Sequence, residues 1–113
     1  MSSEDGILEH AVLNVKPGEE KAFESAMGRV RPLIESTPGF QRMELRPCVE
    51  TPARYLLLVW WDSVEAHTEG FRGSARYQEW KAALHHFYEP FPDVQHYAQP
   101  LCGGAMSAAL VGI

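Results

Sequence analysis

Apolar and polar positions along the chain fall into two rhythms, one of period two and one near 3.6, and their succession predicts the fold. Residues 7–15, ILEHAVLNV, are rich in aliphatic and β-branched side chains and predict a first strand. One alternate set is Glu9, Ala11, Leu13 and Val15; the other is Leu8, His10, Val12 and Asn14. Lys16-Pro17-Gly18 ends the strand. A helix follows from near Glu19, with an apolar stripe at Ala22, Phe23, Ala26, Met27, Val30, Leu33 and Ile34 and acids in its first turn, where they favour the helix dipole. Pro32 offers no N–H to the Gly28 carbonyl, so a kink or an early end is expected there. Thr37-Pro38-Gly39 has Pro and Gly where a type II turn wants them.

Phe40 to Arg46 alternates Arg42, Glu44 and Arg46 against Gln41, Met43 and Leu45, a strand with one polar face. A loop from Pro47 to Pro52 leads to RYLLLVWW, residues 54–61, the most apolar strand and the expected centre of the sheet. Asp62-Ser63 caps a short helix, with Asp62 and Glu65 as a capping-box-like pair. Gly70 and Gly73 bracket a break. Ser74 caps a second helical piece with its stripe at Ala75, Tyr77, Trp80, Leu84 and Phe87. Pro90 and Pro92 stop it, and Asp93 to Ala98 is the last strand.

The order β-α-β-β-α-β predicts a ferredoxin-like α+β sandwich, an antiparallel sheet with both helical segments on one face. The other face carries apolar side chains with no cover within the chain, so sheet-to-sheet homodimerisation is expected. Residues 1–6 read as a polar arm, 7–98 as the domain and 99–113 as a small, apolar extension packed on its own or the partner subunit.

Composition narrows the partners. A net charge of -5 with scattered basic residues argues against nucleic acid, which needs a concentrated basic surface. No apolar run approaches the roughly 20 residues of a membrane span. Cys48 and Cys102 fit no zinc pattern, and without a secretory leader a cytoplasmic protein with reduced thiols is expected.

Several positions carry candidate chemistry. His67 shares a helical stripe with Val64 and Phe71 and should point inward. It is either a core histidine satisfied by one partner or a general base able to take a phenol or enol proton. Arg72 could hold an anionic oxygen, or simply be solvated. Trp60 and Trp61 must face opposite sides of their strand. Trp61, Phe71, Tyr77 and Trp80 could be core, or the wall of a flat pocket for an aromatic ligand. His96 alternates with Val94 and Ala98, and is either packed or a further polar group in a cavity or at the dimer interface. His85 and His86 sit about 100° apart on a helix and cannot share a metal. His85 with Glu89, joined by His96, lacks the specificity of a known metal-binding spacing, so no metal is expected.

The series VKPGEEKAF, TPGF, a Tyr-containing aliphatic strand ending WDSVEAH, then FRGSARYQEW and PFPDVQHY resembles the antibiotic biosynthesis monooxygenase (ABM) domain family over residues 7–98. The resemblance implies a dimeric α+β barrel of ferredoxin-like subunits, with a small aromatic ligand between sheet and helices. It also implies, for some members, cofactor-independent oxidation of phenols or quinols to quinones. Carried onto this sequence it places the helix histidine at His67, the strand tryptophan at Trp61, and the FR-S pattern at Phe71, Arg72 and Ser74. The asparagine, tryptophan and histidine of haem-degrading relatives correspond to Ala11, Phe71 and Lys81, so haem degradation is not expected. No cofactor is expected either. A non-enzymatic ligand-binding or stress-response barrel is the alternative.

Overall fold

A computed structural model describes residues 6–103. Strand β1 (Ile7–Asn14) leads to helix α1 (Glu20–Glu35), strands β2 (Phe40–Pro47) and β3 (Arg54–Trp61), a π-helical turn (Ala66–Phe71), helix α2 (Ala75–Leu84), a short 3-10 turn (His85–Phe87) and strand β4 (Gln95–Tyr97). The strands form one antiparallel sheet in the order β2-β3-β1-β4, with β3 and β1 at its centre. This is the ferredoxin-like α+β architecture the alternation predicted.

Period two decides which side chains meet the helices. Ala11, Leu13 and Val15 from β1 and its extension, with Tyr55, Leu57, Val59 and Trp61 from β3, are buried against Phe23, Ala26, Met27, Val30 and Ile34 of α1 and Trp80 and Leu84 of α2. Trp61, Phe23 and Val59 have no exposed surface, and burying a side chain of this kind contributes roughly 1.5–3 kcal/mol. Leu8, Val12, Leu56, Leu58 and Trp60 point to the opposite face, which no element among the described residues covers.

Several local expectations are met at the atomic level. Phe40 N–H donates to the Thr37 carbonyl at 3.0 Å across Pro38-Gly39, and Gly39 has φ +92°. A Cβ at Gly39 would also sit 2.6 Å from that of Ala66, so the position needs glycine twice over. The Ser74 hydroxyl accepts from Tyr77 N–H at the start of α2.

Others are corrected. Helix α1 continues through Pro32 to Glu35; Gly28, whose carbonyl loses its partner, is exposed, so water can replace the missing donor. Ala22 is exposed rather than part of the buried stripe. Ser63, not Asp62, caps the short helix by accepting from Ala66 N–H at 3.1 Å, while Asp62 accepts from Gln41 Nε2 at 2.8 Å. The last strand is three residues long rather than six, since only Gln95, His96 and Tyr97 pair with β1 and Asp93, Val94 and Ala98 lie outside the ladder. No helix of the described residues is long and apolar enough to cross a membrane. Both cysteines are free thiols, Cys48 half-buried and Cys102 exposed. The expected arm lies largely, and the C-terminal extension mostly, outside the described residues.

Candidate functional site

The alternation that buries Ala11, Leu13 and Val15 also carries Glu9 under the helices, where the side chain is 5% exposed. Its Oε1 accepts a hydrogen bond from Trp61 Nε1 at 2.9 Å and lies 3.4 Å from His67 Nε2. Burial disfavours the carboxylate and pushes its pKa up to about 7; the Trp61 hydrogen bond and the positive charge of Arg72 work against that rise without cancelling it.

His67 is delivered by the π-helical turn. Arg72 N–H reaches back five residues to the His67 carbonyl at 3.0 Å, so one extra residue is accommodated without ending the helix. Gly73 closes the turn on the Glu69 carbonyl, and a Cβ there would come within 2.5 Å of that oxygen. The His67 ring is 3% exposed and stacks on Trp61 at 5.4 Å and 18°. Its Nδ1 is 2.8 Å from Nε2 of His96, which stands directly opposite Glu9 in the β1–β4 pairing. Burial, helped by the charge of Arg72 and the neighbouring His96, pushes the His67 pKa down to about 3. The Glu9–His67 contact would be an ion pair only if the proton moved to the imidazole. Burial opposes both charges, so we assign the neutral pair, acid beside imidazole, below neutral pH.

Glu9 and His67 open onto a cavity of about 40 Å³ between sheet and helices. Phe71, Arg72, Tyr77 and Trp80 line it too, so these four predicted positions and His67 are brought together. Phe71 meets Tyr77 and Trp80 edge-on at 5.4 and 5.5 Å. Trp61 stands behind His67 and Glu9, and His96 stands behind His67; neither lines the cavity itself. Arg72 is exposed at the rim, and its guanidinium has no hydrogen-bond or ion-pair partner among the described residues.

Among the polar and aromatic lining residues, sequence reasoning did not assign Glu9, Tyr88 and Phe91 to a site, and it weighed His85 only as a metal ligand. Glu9 had a usable signal, being the one acid in an otherwise apolar alternate set. His85 falls on the polar face of an ideal helix. The 3-10 turn after Leu84 instead places it among Tyr77, Tyr88 and Phe91, at ring distances of 5.8, 5.8 and 4.9 Å. Burial there pushes its pKa down, with Lys81 and Arg72 adding to the effect. His96, tied to His67, shares none of these contacts, so His85 and His96 do not form the start of one ligand set. A larger groove of about 520 Å³ lies on the uncovered face beside Leu8, Arg42 and Trp60, without a buried acid–base pair. Chemistry rather than size therefore selects the smaller cavity.

A ferredoxin-like α+β sandwich with a buried acid–imidazole pair under its helices defines the class of fold and site. The chain belongs to the antibiotic biosynthesis monooxygenase family, whose model matches residues 6–83. It is 50% identical over 91 residues to YczJ of Bacillus subtilis, an uncharacterized protein, covering 80% of this chain and 96% of that one. A Bordetella bronchiseptica structure assigned to the antibiotic biosynthesis monooxygenases superposes with a TM-score of 0.81 at 35% identity, covering 86% of this chain and 99% of that one. SnoaB, a cofactor-independent oxygenase from Streptomyces nogalater, shares the fold at a TM-score of 0.75 and 17% identity, over 87% and 96% of the two chains.

Proposed function

We propose that this chain is a cofactor-independent monooxygenase that oxidises a phenolic or quinol-like aromatic with O2. The observation that carries the reading is the buried Glu9 carboxyl, poised near neutrality beside His67 in an aromatic-walled cavity with Arg72 at its rim. A general base works best when its pKa lies near the operating pH. Glu9 meets that condition, whereas His67, held near 3, does not. Glu9 is therefore the base, and His67 the partner that orients it and receives its hydrogen bond.

Glu9 takes the hydroxyl proton, and Arg72 holds the resulting phenolate oxygen by a charge-assisted hydrogen bond. The electron-rich ring then reduces O2 itself. One oxygen atom ends in the quinone carbonyl and the other in water, with the ring carbon losing its hydrogen. Phe71, Tyr77 and Trp80 keep the ring dry, so each electrostatic contact is stronger than in water. A dry cavity that admits one benzene ring is on the order of 150 Å³, so ligand entry displaces Phe91, which is 59% exposed and can yield. SnoaB, a family relative by fold, is a cofactor-independent oxygenase, which supports the same chemistry here.

The homodimer belongs to this proposal. Its supporting observation is the uncovered apolar face of Leu8, Val12, Leu56, Leu58 and Trp60. Sedimentation should give twice the subunit mass. A cytoplasmic location goes with it, as the setting in which two free thiols stay reduced.

The test is oxygen uptake with a panel of hydroxyaromatics and no added cofactor. Wild type should consume O2 with at least one of them, and Glu9→Gln should lose on the order of a hundredfold or more in kcat. No turnover by wild type, or an unaffected variant, rejects the proposal. The alternative, a barrel that binds a small molecule without converting it, is favoured by the narrowness of the cavity. Saturable quenching of tryptophan fluorescence with no product would establish it.

A further inference from the structure

From the successive close contacts of three side chains we infer that Glu9, His67 and His96 form a proton relay leading from the cavity to the edge of the sheet. Only the kinetic arm of its test rests on the oxygenase reading. The Glu9 carboxyl faces the cavity, and its Oε1 lies 3.4 Å from His67 Nε2. The opposite nitrogen of the same ring, Nδ1, lies 2.8 Å from His96 Nε2. His96 sits on β4, the outer strand, and is half-buried, whereas Glu9 and His67 are 5% and 3% exposed. A buried base that has taken a proton must be freed of it before the next turnover, and a ligand filling the cavity closes that side of Glu9 to water.

An imidazole with a partner on each nitrogen can transmit a proton without storing it. With Glu9 protonated, its O–H donates to His67 Nε2 and His67 Nδ1–H donates to His96 Nε2. On transfer, the carboxyl proton moves to His67 Nε2, the Nδ1 proton moves to His96 Nε2, and His96 releases its own Nδ1 proton to solvent. Glu9 is left ionised and accepts from His67 Nε2–H. Every atom keeps its valence, and both rings end neutral with their tautomers reversed. That suits a site where burial and Arg72 disfavour the imidazolium of either ring. The other ionisable groups that act on Glu9 are Arg72, from the end of the π-helical turn, and Tyr88, from the segment after α2. Neither stands between the three.

Nitrogen-15 NMR of the labelled wild-type chain tests the relay without a substrate. As Glu9 ionises, His67 and His96 should exchange Nδ1–H and Nε2–H tautomers together, and in Glu9→Gln they should not. Fixed tautomers across the Glu9 titration would overturn the relay. In the kinetic arm, His96→Ala should lower kcat roughly ten- to a hundredfold with KM within about twofold. Added imidazole should restore the rate, and His96→Gln, which bonds but cannot relay, should stay slow. Full activity of His96→Gln would count against the relay. Absence of turnover in wild type would reject the oxygenase reading alone, leaving the tautomer exchange to decide the relay.

Discussion

Trp60 and Trp61 are neighbours in one strand and live in opposite surroundings. Trp61 is fully buried, bonds Glu9 and stacks on His67. Trp60 is half-buried on the uncovered face, where the Arg42 guanidinium lies 4.5 Å above its ring. A step of one residue separates a side chain packed against the buried acid–imidazole pair from one left on the uncovered face. The same division runs through β1, with Glu9 and Ala11 under the helices and Leu8 and Val12 outside. One face thus closes around the acid–imidazole pair, and the other leaves apolar side chains uncovered among the described residues.

Truncating the two tryptophans should separate these roles most sharply. Trp61→Ala removes a filled ring position and the hydrogen-bond donor of a buried carboxyl, and should cost about 3–5 kcal/mol in urea unfolding. Trp60→Ala should cost about 1 kcal/mol or less in the subunit and shift sedimentation towards the monomer. Equal losses would erase the distinction between the faces.

The next effect is electrostatic. Glu9 is raised above its ordinary value of 4.5, so its contribution to stability is complete below 4.5 and lost as pH rises through about 7. His67 is depressed below 6.5, so its contribution is complete above 6.5 and lost as pH falls towards about 3. Between 4.5 and 6.5 the two slopes oppose, and wild type should be nearly flat there. Glu9→Gln removes the first slope only. Its stability relative to wild type should rise by about 3 kcal/mol from about pH 4 to about pH 8, read from urea midpoints at each pH. A pH-independent difference would mean that Glu9 ionises normally.

Smaller effects separate the two ends of the helical layer. Gly73→Ala drives a methyl into the Glu69 carbonyl and should destabilise by about 1–3 kcal/mol, disturbing the turn that carries His67. Gly28→Ala, in an exposed stretch of α1 with nothing within 4 Å, should stabilise by about 0.5–1 kcal/mol. Thermal melts of the two variants should move in opposite directions.

Much of this architecture is legible in the chain because alternation and helical spacing report burial directly. ILEHAVLNV and RYLLLVWW declare their strands, and Pro38-Gly39 declares its turn by the left-handed conformation that glycine accepts. The inward direction of His67 is legible for the same reason. The rest depends on departures from ideal geometry that leave little trace in residue type. The π-helical turn is defined by backbone bonds five residues long, Arg72 N–H to the His67 carbonyl among them. The 3-10 turn redirects His85 by changing the angle per residue, and the pairing of His67 with His96 joins positions 29 apart. Glu9 is the instructive case: an acid in an inward-facing set is already a statement about burial, and hence about its pKa.

The central claim is that the helix-covered face holds a carboxyl poised to exchange a proton near neutral pH. Carbon-13 NMR of the Glu9 carboxyl, titrated in the intact protein, measures that directly. A midpoint near 7 is predicted; a midpoint near the ordinary 4.5 would contradict it.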